Sequence, residues 1–456
     1  MQYIADHNAK FHELSSFIWE NPELGMEEHL ASGKLCALLV AEGFSVEKGA
    51  AGMPTAFVAT FGSGKPVIGF NSEYDALPGL SQQVEAVKKP VHEGWPGHGC
   101  GHNLMAVAGI MAAVAIKEAM KKHGFQATLK IFGTPAEELC IGKQIMAKAG
   151  LFDDLDLVVD WHPTRWNASN ALSCPAYFNI RYHFAGRTAH GNSPWHGRSA
   201  LDAAILQGQA VEMLREHLPP GKDEVANTIN YTFSDTGPEF PSVVPDKATA
   251  WYVGRFISSQ MMEDAIKRVD KCADAAALAT ETSVEKEYIT ATHEMIPNET
   301  AAKAGHDNLV AFGIPEFTEG EKLFLYAMQD SIGQERYESS GIKPHAEAWM
   351  GVTDSSEYSW FAPLSLLHVY LGPGPGWHNW MVTACSGAPH GVKAVNAAAR
   401  GMAATAVDFI FDAALLAKAQ QEHKQRLNGR SYRPLLPEGT PVPLKINTVA
   451  MEKYRK

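Results

Sequence analysis

Apolar residues recur along the first 175 positions with two alternating periods. Residues 7–20 and 26–43 carry them at helical spacing, and Gly43 supplies a stop. Apolar runs at Thr55–Phe61 and Pro66–Phe70 predict strands, and Gly62-Ser63-Gly64-Lys65 between them reads as a hairpin turn. The GxxxxGK[ST] spacing of a phosphate loop is absent there. A helix over 103–122, a strand over Thr128–Phe132, a helix over 141–149 and a strand over Leu155–Trp161 follow. This alternation predicts an α/β fold, a mainly parallel sheet flanked by helices.

The pattern changes near residue 175. Strand 177–184, helix 197–217, strands 225–234 and 247–255, helix 259–279 and strand 281–289 give the order β-α-β-β-α-β of a ferredoxin-like α+β unit. Leu201, Ala204, Ile205, Val211, Leu214 and Leu218 share one face of its first helix. The α/β pattern then resumes, with a strand at Leu364–Leu371 and one long helix around 392–418. The predicted organisation is a catalytic domain in two parts, 1–175 and 293–456, interrupted by a smaller inserted domain over 176–292. The tail after about 425, rich in Pro, Arg and Lys, is expected to pack over the surface.

Composition narrows the partners. The 456 residues are 45% hydrophobic and 20% charged, enough for a sizeable core. A net charge of −12 disfavours nucleic acid or an anionic membrane, though not a small anionic substrate. The longest apolar stretch, Leu104 to Ile116, falls short of the roughly 20 residues that span a bilayer and reads as a buried helix. Six sparse, irregularly spaced cysteines do not form a disulfide framework, and Met1–His7 has neither a basic nor an apolar signal region, so a cytoplasmic location is expected.

Chemistry gathers at the ends of the predicted strands. Glu73 and Asp75 follow one strand, Glu137 and Glu138 the next, His162 a third, and His378 a fourth after the loop Gly372–Gly376. Ligand sites in open α/β sheets collect at carboxyl ends of strands. Cys100 and His102 stand before a helix, where the positive end of the dipole favours a thiolate, and Gly97, Gly99 and Gly101 let that loop bend tightly. Taken singly, a cysteine is a small buried hydrophobe, a His-Pro pair a surface turn and a Glu pair a solvated face. Taken together they are a ligand set for a zinc-like ion with a spare carboxylate as base.

Longer stretches carry a resemblance. Asn71-Ser72-Glu73-Tyr74-Asp75-Ala76-Leu77-Pro78, Gly97-His98-Gly99-Cys100-Gly101-His102-Asn103-Leu104, Gly133-Thr134-Pro135-Ala136-Glu137-Glu138, Ala189-His190-Gly191-Asn192-Ser193-Pro194, Gly197–Ala203 and Thr353-Asp354 are all involved. Through them the chain resembles, almost end to end, the aminoacylase and carboxypeptidase family of metal-dependent amidohydrolases. The likeness is greatest to the branch with the B-type subunits of p-aminobenzoyl-glutamate hydrolase and the auxin-conjugate amidohydrolases.

The resemblance implies a zinc-exopeptidase-like catalytic domain and an inserted lid that also forms a homodimer interface. It implies two divalent ions, Mn2+ or Zn2+, held by Cys100, His102, Glu138, His162 and His378. Glu137 matches the general base, and His190 the residue that polarises the scissile carbonyl, commonly in the partner's active site. Arg198 and Asn230 fall in substrate-binding stretches. Three segments depart from the family pattern: Arg165 stands near an acidic position, Glu357 stands for Asp, and His390 is shifted.

The expected activity is hydrolysis of N-acyl or N-aroyl amino acids or small dipeptides. Asp75 is expected to orient a ligand or Glu137, or else only to cap its turn. A carboxylate-bearing substrate would suit Arg198, with Arg165 second; an ordinary surface ion pair is the alternative for each. Trp161, Trp166, Trp195, Trp360, Trp377 and Trp380 could wall an aromatic pocket or pack the core. Hydrolytic deamination of an aromatic amine and a non-catalytic binding relative stand as alternative functions.

Overall fold

The computed structural model describes residues 2–222, 225–339, 341–372 and 376–455. Helices α1 (Gln2–His7), α2 (Ala9–Glu20) and α3 (His29–Ala41) precede strands β1 (Ser45–Lys48), β2 (Phe57–Gly62) and β3 (Val67–Glu73). Then come α4 (His102–His123), β4 (Thr128–Thr134), α5 (Gly142–Lys148), β5 (Leu157–Thr164), β6 (Ala168–Ser169) and β7 (Ala171–Ser173). The middle of the chain forms β8 (Ala176–Ala185), α6 (Ala200–Arg215), β9 (Thr228–Asp235), β10 (Lys247–Phe256), α7 (Ser259–Thr280) and β11 (Ser283–Thr292). The remainder forms α8 (Glu299–Phe312), α9 (Glu319–Ser331), β12 (Glu347–Trp349), β13 (Leu364–Tyr370), α10 (Trp380–Gly387), α11 (Pro389–Phe411), α12 (Ala413–Leu427) and α13 (Thr448–Tyr454).

The larger sheet has seven strands in the order β1-β2-β4-β3-β5-β13-β6. Its centre, β4-β3-β5-β13, is parallel, and β2 and β6 flank it antiparallel. Such a sheet must be covered on both faces, and its strands divide their apolar side chains by the two-residue period. Ile68, Phe70, Leu129, Ile131, Leu157, Val159, Leu367 and Val369 face a core built on α4 and α11. Val67, Phe132, Val158, Leu364 and Leu366 face a second core with Ile141, Ile145, Phe152 and Tyr358. Helix α4 is long and apolar enough to cross a membrane by length and composition, but residues 102–117 are all buried in the protein. It approaches β3 so closely that a Cβ on Gly109 would lie 2.5 Å from the Asn71 carbonyl oxygen.

Two predicted elements need correction. The turn at Gly62–Lys65 does not close a hairpin, because β4 lies between β2 and β3 and pairs with both. A strand apolar on both faces takes two neighbours, and β4 outcompetes the local pairing. The long helix predicted at 392–418 is two helices, broken at Asp412 (φ −106°, ψ 88°), whose carboxylate caps the Leu415 amide of α12.

The smaller sheet is antiparallel, in the order β11-β8-β10-β9. With α6 and α7 packed on one face it has the ferredoxin-like order read from the sequence. Phe178, Ile180, Tyr182 and Phe184 point from β8 to those helices, while Asn179 takes the other face and accepts a hydrogen bond from the Trp251 indole. The C-terminal segment crosses the surface as expected: Arg433 pairs with Glu263, Met451 is buried, and Arg455 reaches Glu27 at 2.7 Å.

Candidate metal centre

Residues from four loops and from strand β5 meet at the carboxyl edge of the parallel strands. Gly101, at φ +85°, turns the chain into α4 and makes His102 its first residue, fully buried. Asp75, just beyond β3, holds that ring from behind: its Oδ1 lies 2.8 Å from His102 Nδ1. The other Asp75 oxygen accepts the Glu138 amide at 2.9 Å. His162, the sixth residue of β5, has Nδ1 2.7 Å from the Pro163 carbonyl oxygen, so Nδ1 donates and Nε2 keeps its lone pair. That Nε2 stands 3.3 Å from Cys100 Sγ. His378, at the left-handed φ of 62°, brings Nε2 to 3.2 Å from Glu138 Oε2. Residues 373–375 of its loop lie outside the described residues.

The donor atoms form three overlapping groups, each within 4.8 Å: Cys100/His102/His162, Cys100/Glu138/His378 and Glu73/His102/Glu137. The first two share the Cys100 sulfur, so the five expected ligands lie around one small space. Glu137 borders it, with Oε2 3.7 Å from His102 Nε2. His102 Nε2 and Glu138 Oε1 are buried and have no hydrogen-bond partner. Buried polar atoms are ordinarily paired, and sulfur, imidazole and carboxylate donors aimed at a common point fit a bound metal ion.

The electrostatics agree. Burial, reinforced by Glu138, pushes the Cys100 thiol far above its usual range. Burial raises Glu138 to about 8, and burial with Glu73 and Asp354 raises Glu137 well above an ordinary carboxyl. Burial and the neighbouring His102 hold His162 down at about 4. Acids pushed up, with a neutral imidazole among them, mark a place that lacks positive charge, which a divalent cation would supply.

Behind this edge lies a polar network that the sequence reading did not assign. Lys143 of α5 is fully buried, with Nζ 2.6 Å from Glu73 and 2.5 Å from Asp354. Asp354 also accepts the Lys143 amide at 3.1 Å, and Asp160 accepts from Ser355 at 2.8 Å. Burial works against the Glu73 carboxylate, but Lys143 and His102 outweigh it and hold its pKa at about 2. The signal was a lone lysine in the apolar run Ile141–Ala147. Glu357, the residue that departs from the family pattern, is buried and accepts from the His293 backbone and ring.

The other expected residues have different neighbours. His190 is exposed in the 189–197 loop and accepts from the Asn192 amide. Arg198 pairs with Glu281 at 2.6 Å, the surface ion pair weighed as its alternative, and Asn230 is exposed on edge strand β9. Arg165 lies near the rings of Trp166 and Tyr337. Of the tryptophans, Trp377 approaches His162 with 6.5 Å between ring centroids, Trp161 is core, and Trp195 is 68% exposed.

Residues 69–439 match peptidase family M20/M25/M40. The chain belongs to this family. M20 enzymes are metal-dependent hydrolases, and the expectation of an amide-cleaving enzyme holds. The chain is 32% identical over 469 residues to the B-type subunit of p-aminobenzoyl-glutamate hydrolase in Escherichia coli (strain K12), covering 96% of each chain. It is 30% identical over 436 residues to Xaa-Arg dipeptidase of Mus musculus, covering 91% of this chain and 89% of that one. The M20 fold is seen again in the aminobenzoyl-glutamate utilization protein of Klebsiella pneumoniae, at a TM-score of 0.60 and 16% identity, over 88% of this chain and 97% of that one.

Proposed function

We propose that this M20 enzyme hydrolyses the amide bond of small N-acyl or N-aroyl amino acids, or of dipeptides, that carry a free carboxylate. The observation that carries the proposal is the convergence of Cys100, His102, Glu138, His162 and His378, with the Glu137 carboxylate at their border. Those five would hold two divalent ions, Mn2+ or Zn2+. Bound there, the ions supply a water acidified toward neutrality and positive charge beside the scissile carbonyl.

Glu137 takes the proton from the attacking water and returns it to the leaving nitrogen. Asp75 fixes the His102 ring so that Nε2 faces the site. His190 would polarise the carbonyl, and Arg198 and Asn230 would meet the substrate, when closure or a second copy brings the smaller sheet over the site; Arg165 is a second partner for the carboxylate. Exposed edge strand β9 supports a homodimer. Six free cysteines support a reducing, cytoplasmic setting.

The test is direct. Protein loaded with Mn2+ or Zn2+ is offered N-acetyl and N-benzoyl amino acids, p-aminobenzoyl-glutamate and dipeptides, and free amine is measured. Release of the amino acid is expected; no release with either metal overturns the proposal.

A further inference from the structure

The turn that carries Glu137 and Glu138 is bracketed by two residues in a conformation that side chains disfavour. Ala136 and Cys140 both have φ 55°, and neither is glycine. Such backbone persists only where its surroundings hold it. Three of its holds come from loops around the larger sheet. Glu28 accepts the Ala136 amide at 2.8 Å, Asp75 accepts the Glu138 amide, and Asp354 accepts the Lys143 amide.

The fourth comes from the smaller sheet and depends on an irregularity in β11. Against β8, Tyr288 lies opposite Ile180 but Thr290 lies opposite Asn179, so Ile289 is an extra, bulged residue. Val284 and Tyr288 pack toward α6 and α7. A regular strand would send Thr290 the same way, since every second residue shares a face. The bulge passes that face to Ala291, which joins the helix-side core, and turns Thr290 with Asn179 to the other. There Thr290 is fully buried, and its hydroxyl donates to the Cys140 carbonyl.

We infer that Thr290 is a positioning residue that pins the Glu137–Cys140 turn from the smaller sheet. Through Cys140 it fixes where the Glu137 carboxylate stands, and it ties the setting of that acid to the seating of the smaller sheet. The inference rests on the reading of Glu137 as the base. Without the hydroxyl, the Cys140 carbonyl loses a buried partner and the turn can relax toward ordinary backbone.

Three variants test it: Thr290→Val, Thr290→Ser and Thr292→Val. Thr292 is a good control, being equally buried on the same strand with a hydroxyl that bonds nothing. Two measurements are made on each: hydrogen exchange of the 137–142 amides, and kcat and KM with metal loaded. For Thr290→Val, exchange of those amides is expected to rise about tenfold, with kcat lower by about 10- to 100-fold and KM nearly unchanged. Thr290→Ser should restore both, and Thr292→Val should match the native protein. Unchanged exchange in Thr290→Val overturns the inference whatever the activity, as does an equal loss in Thr292→Val. A native protein that cleaves no amide would instead sink the proposed function, leaving the exchange result to decide on Thr290.

Discussion

Asp75 and His102 form a fully buried pair in which the carboxylate grips the ring nitrogen facing away from the candidate metal centre, 2.8 Å from Oδ1 to Nδ1. That contact sets the tautomer and aims Nε2 at the site. Asp75→Asn keeps the shape but reverses the preferred tautomer. Metal affinity measured by chelator competition should fall by about 10- to 100-fold. Unchanged affinity would mean that Asp75 only supports its turn.

Glu137 borders the ligand cluster without belonging to the five. Glu137→Gln should therefore retain metal by elemental analysis while kcat falls by about 10²- to 10⁴-fold. Loss of metal along with turnover would make Glu137 a ligand. Cys100→Ala, by contrast, should lower metal content, because the thiol belongs to two of the donor groups.

Lys143 carries its charge with no exposure to solvent, between two carboxylates. Lys143→Met leaves Glu73 and Asp354 buried without the ammonium between them. Urea unfolding should show a loss of about 3–5 kcal/mol. A neutral effect would imply that one of the acids is already protonated in the native protein.

His390 begins α11 beside Phe317 and Phe324, and its Nε2 is buried without a partner. Burial holds this imidazole at about 4, against an ordinary 6.5. Above pH 6.5 it is neutral in both folded and unfolded chains. As pH falls from 6.5 toward 4 the unfolded chain takes up a proton that the folded one refuses, so stability drops, by about 3 kcal/mol at most. His390→Leu should make the dependence of the urea midpoint on pH less steep across that window, leaving the share of buried histidines such as His162; an equally steep dependence would assign it elsewhere.

The sequence made legible what depends on local period and on strand ends. Apolar runs such as Leu364–Leu371 predicted the parallel centre, and the polar residues after each run proved to converge. What escaped was set by distant residues. The hairpin reading of Gly62–Lys65 failed because β4, encoded roughly 60 residues later, inserts between its neighbours. The sequence predicts a single helix over 392–418 because Asp412 is a tolerable helix residue until its side chain caps the next segment. Lys143 looked like one charge in a short helix, since Glu73 and Asp354 lie far from it in sequence. The role of Thr290 depends on a bulge, and single-residue irregularities leave no periodic signal.

The position of β13 has a consequence for biosynthesis. It sits between β5 and β6, yet it is the last strand of that sheet to leave the ribosome. Until it emerges, a parallel edge of β5 stays uncovered, and His378, encoded still later, has not joined its fellow donors. A nascent chain therefore cannot complete the ion-holding cage until translation is well advanced, and a product truncated before β13 would expose a sticky strand edge without any hydrolytic competence.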